Sequence, residues 1–299
     1  MCRAGKIVLR SLAMRELTVR HTAHNLRNIL VDILSQYDID IQKIYTVTTD
    51  NGANMLSSVR LLSEQQLNET NDYLDLSRYS QLSGEEDNYD DCKSDDFLAD
   101  DLLNVVQEAQ RSLLSGINCC AHTIQLAVQD ALKCTSATEL LKVARSIVKQ
   151  LKCQNLMMIL RQMKSKMPIL DCVTRWSSSY CMLDRLLELR KFCKEMEETV
   201  PTIYLSEVDW NNIAKLRDTL KPVQITTSTI QLQQLTPGDF LKAWMKCKID
   251  VCKIHSIFSV ELLRCMEVRE QTFLENDVIR AAIYMDPRHV KLLKNKLVI

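Results

Sequence analysis

Residues 39–55 read IDIQKIYTVTTDNGANM. Ile44 to Thr49 is an unbroken β-branched and aromatic run, the composition of a buried strand. Asp50-Asn51-Gly52 ends it with turn chemistry. Just upstream, HTAHNLRNILVDILSQY (21–37) places Leu26, Ile29, Leu30, Ile33 and Leu34 on one helical face. Ahead of that, KIVLRSLAM (6–14) is apolar enough for a strand. A strand, a helix and a strand closed by a carboxylate open an α/β sheet.

Downstream the pattern changes. EEDNYDDCKSDDFLADD (85–101) holds nine acidic residues and one lysine, a net charge of −8. It follows a polar, Ser/Asn-rich stretch, and the composition predicts one long acidic insert over about 64–101. The ligand spacing and turn glycine of a calcium-binding helix-loop-helix are missing from it. CCAHTIQLAVQDAL (119–132) reads as a helix, and 136–295 is helical in period almost throughout. Pro168, Pro201, Pro222, Pro237 and Pro287 are read as helix boundaries.

Residues 131–166 carry eight Lys and Arg against Glu139 alone, a net of +7. Ser136 and Glu139 have capping-box spacing. Leu140, Ala144, Ile147, Val148 and Leu151 make an apolar face, and Lys142, Arg145, Lys149 and Lys152 lie mainly on the other side. Such a helix is either a solvated surface or one that follows a phosphate backbone by charge.

Composition narrows the class. Thirty-eight basic residues balance thirty-eight acidic ones over 299 residues, and Gly and Pro number five each. This excludes collagen-like and Gly/Pro-rich chains and argues against a turn-rich all-β protein. No apolar run approaches the roughly 18 residues of a membrane span, and the N-terminus lacks a signal-peptide core. Twelve cysteines stand without any C-x-x-C, which reads as a reduced intracellular protein. No phosphate-binding Gly-Lys loop, dinucleotide fingerprint, nucleophile elbow or H-E-x-x-H is present.

Three places carry candidate chemistry. Asp50 closes a strand, where ligands gather in open α/β sheets; it is either a divalent-metal ligand or an Asp capping its own turn. Cys119 and His122 form a C-x-x-H, half of a zinc pattern, and a structural zinc needs four ligands. Arg175 and Trp176 either clamp phosphate and stack a base, or are a packed indole beside an ion pair.

Taken in order, RHTAHNL (20–26), VTTDNGANM (47–55), CCAHTIQLAVQDAL (119–132), TRWSSSYCMLDRLLE (174–188), LSEVDWNNIAKLRDTLKPVQITT (205–227) and IRAAIYMDPR (279–288) resemble the transposase domain of the hAT superfamily. More narrowly, the chain is similar to the transposase-derived zinc-finger BED domain-containing proteins. The resemblance implies a ribonuclease-H-like core interrupted by a large helical insertion. It implies that Asp50 matches the middle of three metal-binding carboxylates, that Cys119 and His122 match a helix beside the active site, and that Arg175 and Trp176 match a DNA-contacting pair. The family's first carboxylate, in a D-x-W-T-S-like block, would precede residue 1. The third would lie beyond the insertion, and no BED finger pattern is found.

The fold class expected is therefore α/β plus all-α. Residues 1–132 form a truncated ribonuclease-H-like core without its first strand or strands, and 133–299 a mostly helical insertion domain. The expected function is that of a catalytically inactive, nuclear, DNA-associated protein, with Asp50 vestigial and backbone contacts from Lys142, Arg145, Lys149, Lys152, Arg175 and Trp176. No cofactor is expected to bind productively, although active members use Mg²⁺ or Mn²⁺. The alternatives are a protein-interaction module or transcription regulator, and an active metal-dependent transposase.

Overall fold

The computed structural model describes residues 2–3, 6–7, 10–50, 52–81, 114–172, 175–231 and 235–297. The chain divides into two compact units, Met1–Cys119 and Cys120–Ile299.

In the first unit, β1 (Cys2–Arg3) and β2 (Lys6–Ile7) form a two-residue antiparallel ladder. Only Lys6–Ile7 of the strand expected over 6–14 is observed. Met14 is fully exposed and Leu12 half exposed, so residues 10–14 have no sheet or core to pair with. The helix α1 (Ala23–Gln36) starts where Thr22 accepts the Asn25 N–H. Then β3 (Thr46–Thr49) leads into α2 (Ala53–Gln81), and β4 (Ser115–Asn118) pairs parallel with β3, Val47 opposite Gly116. Parallel strands need a crossover, and α2 supplies part of one.

Ile41, Val59, Leu62 and Leu114 form the buried centre of this unit, with Leu30, Val31, Ile44 and Val47 packed on it. Gly116 lets Val59 approach, since a Cβ there would stand 3.2 Å from Val59 Cγ1. Buried Gln66 donates to the Ile41 carbonyl at 2.9 Å. The acidic insert expected over about 64–101 is thus helix as far as Gln81. Val59, Leu62 and Gln66 recur at helical spacing toward the core, and Gln65 bonds Glu69 one turn on at 2.8 Å. Residues 82–101 lie outside the described residues.

The second unit is all helix among the described residues. It runs α3 (Cys120–Leu132), α4 (Thr135–Leu151), α5 (Gln154–Gln162), α6 (Trp176–Glu188), α7 (Arg190–Met196), α8 (Glu207–Ile230), α9 (Pro237–Cys252), α10 (Ile257–Leu274), α11 (Asp277–Tyr284) and α12 (Val290–Leu297). The sequence places the end of the first region at residue 132, but α3 belongs here. Its Ile124, Ala127, Val128 and Ala131 are fully buried and it packs along α10. Trp210, Trp244 and Phe240 are the largest fully buried side chains, and Phe240 meets Phe273 edge-on with ring centres 4.7 Å apart. Among the described residues no helix is long and apolar enough to cross a membrane.

Two helix signals resolve differently from expectation. Ser136 and Glu139 are not a capping box: α4 begins at Thr135 with Cys134 at the cap position, and Glu139 turns outward to Lys142. Pro222 lies inside α8 rather than at its end. An interior proline costs about 3 kcal/mol. Burial of Leu220 and Val223 beside it, at roughly 1.5–3 kcal/mol each, outweighs that cost. Pro237 does open α9, followed by Gly238, where a Cβ would fall 2.5 Å from the ring of buried His289.

Asp239 completes a capping box with Thr236 and hydrogen-bonds His289 Nε2 at 2.9 Å. Burial alone would raise its carboxyl. The Thr236 backbone N–H and hydroxyl, His289 and Arg288 together overcome this and hold it at about 2. A depressed carboxylate stabilises the fold fully above its ordinary value near 3.8 and loses that contribution as pH falls toward 2. Asp239→Asn is expected to lower the melting temperature at pH 7 and to flatten its decline between pH 4 and 2. A variant as acid-sensitive as the parent in a pH series of melts would contradict this.

Candidate nucleic-acid interface

The cations of α4 at 142, 145, 149 and 152 are spaced three, four and three residues apart, which keeps them on one face. They do not have one environment. Lys142 is exposed and pairs with Glu139 at 2.7 Å. Lys149 and Lys152 are exposed with no ion-pair partner among the described residues, at the helix's electronegative end. Arg145 is three-quarters buried and chelates Asp171, Nε to Oδ1 at 2.9 Å and Nη2 to Oδ2 at 2.7 Å. Of the four, Arg145 is the one engaged in a largely buried ion pair.

Asp171 sits in the irregular connection between α5 and α6, with its side chain 1% exposed. It also accepts the Ser179 hydroxyl at 2.7 Å. Burial works to raise its carboxyl, and Arg145 and Ser179 together lower it below the usual range. The same connection is fixed upstream, where Arg185 donates to the Met167 carbonyl at 2.7 Å and Lys166 pairs with Glu188 at 2.5 Å.

Arg175 and Trp176 part company at the start of α6. Arg175 occupies the N-cap position with an exposed side chain that makes no capping hydrogen bond. Trp176 is 4% exposed and contributes to the core. Its indole could stack on a base only by opening that core.

Asp50 is exposed at the end of β3, and its Oδ1 accepts the Gly52 N–H at 3.1 Å, an Asx turn. Cys119 follows β4 and donates its N–H to the Thr49 carbonyl at 2.8 Å. Asp50 and Cys119 thus leave the carboxyl ends of neighbouring parallel strands. His122, half-buried in the first turn of α3, belongs to the other unit. The hydroxyl of buried Thr49 has no hydrogen-bond partner among the described residues, but a neutral oxygen adds no charge to a metal site. Two-metal strand transfer needs several carboxylates. Among the described residues no group of three His, Cys, Asp or Glu side chains is placed to hold a metal. The described residues around Asp50 do not by themselves fit a two-metal centre. Burial pushes the thiols of Cys193 and Cys247 up to about 12 and about 11, which removes both as nucleophiles at neutral pH.

The segment that carries the basic face, Asp171 and Arg175 has a counterpart. Residues 117–219 match the family model of the ZBED1 RNase-like helical domain. The match covers about a third of the chain, from β4 through the first half of α8. It is consistent with a domain derived from ZBED/hAT transposases and agrees with the resemblance carried by the sequence motifs. No curated protein matches the chain. Asp171, the partner of Arg145, and the pair Lys248–Glu270 are the important polar residues that pattern reading misses. Glu270 is detectable as an acid on the apolar face that also carries Phe258, Leu262, Met266 and Phe273. Asp171, 26 residues from its partner, gives no such signal.

Proposed function

We propose that this is a transposase-derived nuclear protein that associates with DNA through the phosphate backbone and does not cut it. The observation that carries the reading is the exposed cation set Lys142, Lys149, Lys152 and Arg175, displayed by the segment that matches the helical domain. Backbone neutralisation by such cations gives affinity without sequence information. We read the β3–α2–β4 unit as the remnant of a ribonuclease-H-like core. Asp50 is then its middle carboxylate, and among the described residues no further carboxylates join it to make a two-metal site.

The test is binding and nicking of duplex DNA by the purified chain across a salt series, with and without Mn²⁺. The expected result is weak binding that falls steeply with salt, and no nicking. The triple variant Lys149→Ala/Lys152→Ala/Arg175→Ala should lower the log–log salt slope by about 0.9 for each phosphate it no longer neutralises. Binding that ignores salt, or no binding at low salt, would sink the DNA reading. Mn²⁺-dependent nicking that disappears in Asp50→Ala would restore an active transposase.

One observation favours a protein-interaction module as the second reading. A groove of about 460 Å³ between the N-terminal ends of α4, α8 and α10 is lined by Leu140, Val143, Leu216, Ile257 and Phe258, with Ile257 79% exposed. Absence of DNA binding would leave that groove as the surface to pursue.

A further inference from the structure

An arginine is a poor N-cap. Ser, Thr, Asp and Asn are preferred there because their side chains accept the helix's first N–H groups, which a guanidinium cannot do. Arg175 holds that position in α6, so capping does not explain it. The turn leading to it is instead closed from inside the helix. The Ser178 hydroxyl accepts the Cys172 N–H at 2.8 Å and lies 2.6 Å from the Arg175 carbonyl and 2.9 Å from the Cys172 carbonyl. With a single proton it serves one of those carbonyls at a time. The Arg175 N–H in turn reaches the Cys172 carbonyl at 3.0 Å. One residue earlier, Asp171 is chelated by Arg145 from α4 and held by Ser179 from α6.

Asp171, Cys172 and Arg175 are thus each tied to a neighbouring helix or to each other, with Arg175 exposed. Trp176 is buried immediately after it, which fixes the backbone on the other side. A long side chain on a free loop must be ordered when it binds, whereas one on a fixed backbone has less freedom to lose. Arg145 is removed from the same surface by its pairing. Asp171 therefore withdraws one cation from solvent and anchors the chain four residues before another.

We infer that Asp171 and Ser178 are positioning residues that hold Arg175 in place for a phosphate group of a nucleic-acid backbone. This rests on the reading of Arg175 as a backbone contact given above. Ser178 is the better position to test, because alanine suits a helix and leaves the Asp171–Arg145 pair intact.

The experiment is a salt titration of duplex DNA binding by the full chain and by Arg175→Ala, Ser178→Ala, Ser178→Thr and the double variant Ser178→Ala/Arg175→Ala. Circular dichroism at the assay temperature reports whether each is folded. Arg175→Ala is expected to lower the salt slope by about 0.9 and the affinity by roughly eightfold at 0.1 M salt, the size of one phosphate contact referred to 1 M. Ser178→Ala should lose a large part of the same affinity while keeping its helicity. Ser178→Thr, which keeps the hydroxyl, should recover it, and the double variant should bind no worse than Arg175→Ala. Normal binding by Ser178→Ala beside weakened Arg175→Ala overturns the positioning role alone. So does a double variant whose losses add, because Ser178 then acts independently of Arg175. Normal binding by Arg175→Ala overturns the backbone contact itself, and the positioning role with it.

Discussion

Glu270→Ala is expected to cost the helical unit about 3–5 kcal/mol of stability, the range for breaking a buried pair from one side. For a unit of this size that corresponds to a fall of roughly 6–20 °C in melting temperature. Glu270 is 5% exposed in the C-terminal part of α10. Its Oε2 accepts the Trp244 indole N–H at 3.1 Å and the Lys248 ammonium at 3.0 Å, both from α9. Truncation leaves the indole donor of a 1% exposed tryptophan unsatisfied, which alone costs about 1–3 kcal/mol. It also strips Lys248, 16% exposed, of its nearer carboxylate. Glu267 stands 3.4 Å from the same ammonium but is 66% exposed, so it offers a screened partner at best.

The decisive comparison is with a triple replacement, Trp244→Phe, Lys248→Met and Glu270→Leu. Swapping all members of a buried ionic group for apolar ones is often close to neutral. The triple variant should therefore melt well above Glu270→Ala. If Glu270→Ala loses less than about 1 kcal/mol in urea unfolding, the carboxylate is not holding α9 to α10.

How much of this is legible in the sequence depends on range. The strand ending at Asp50 is readable because Ile44 to Thr49 is β-branched and aromatic without a break, and the observed strand is its last four residues. The buried face of α4 is readable because Ala144, Ile147, Val148 and Leu151 repeat locally. Its counterpart in the sheet, β4, is not. Ser115-Gly116-Ile117-Asn118 has little strand preference of its own, and its state is set by the edge of β3 beside it. Arg145 reads as a phosphate ligand because a charge pattern shows a cation's face and not its partner. Asp171, which decides its role, is brought in by tertiary packing. Trp176 is ambiguous for the same reason: adjacency to Arg175 does not reveal which of the two faces the core.

Removing Arg145 is expected to hurt more than removing Asp171, and to invert the response to acid. The two make a chelated pair, but their exposures differ: 24% for the Arg145 side chain and 1% for Asp171. After Asp171→Ala the guanidinium can turn toward water. After Arg145→Ala the carboxylate stays enclosed, with the Ser179 hydroxyl as its remaining side-chain partner. Stranding a buried charge costs about 3–5 kcal/mol, so Arg145→Ala should sit near the top of that range and Asp171→Ala near or below the bottom. The sign of the pH effect separates the two explanations for such a loss. In the parent, Asp171 is depressed below 3.8 by Arg145 against the opposing pull of burial. Its contribution is therefore complete above the unfolded value and lost as pH falls through the lower folded value. Without Arg145, burial dominates and the folded carboxyl rises above the unfolded one. The proton then binds the folded state more tightly, and stability recovers as pH is lowered through the raised value. A pH series of melts from 7 to 4 should show Arg145→Ala gaining on the parent as acid is added. If the gap stays constant over that range, the loss comes from missing packing of the arginine stem and not from a stranded carboxylate.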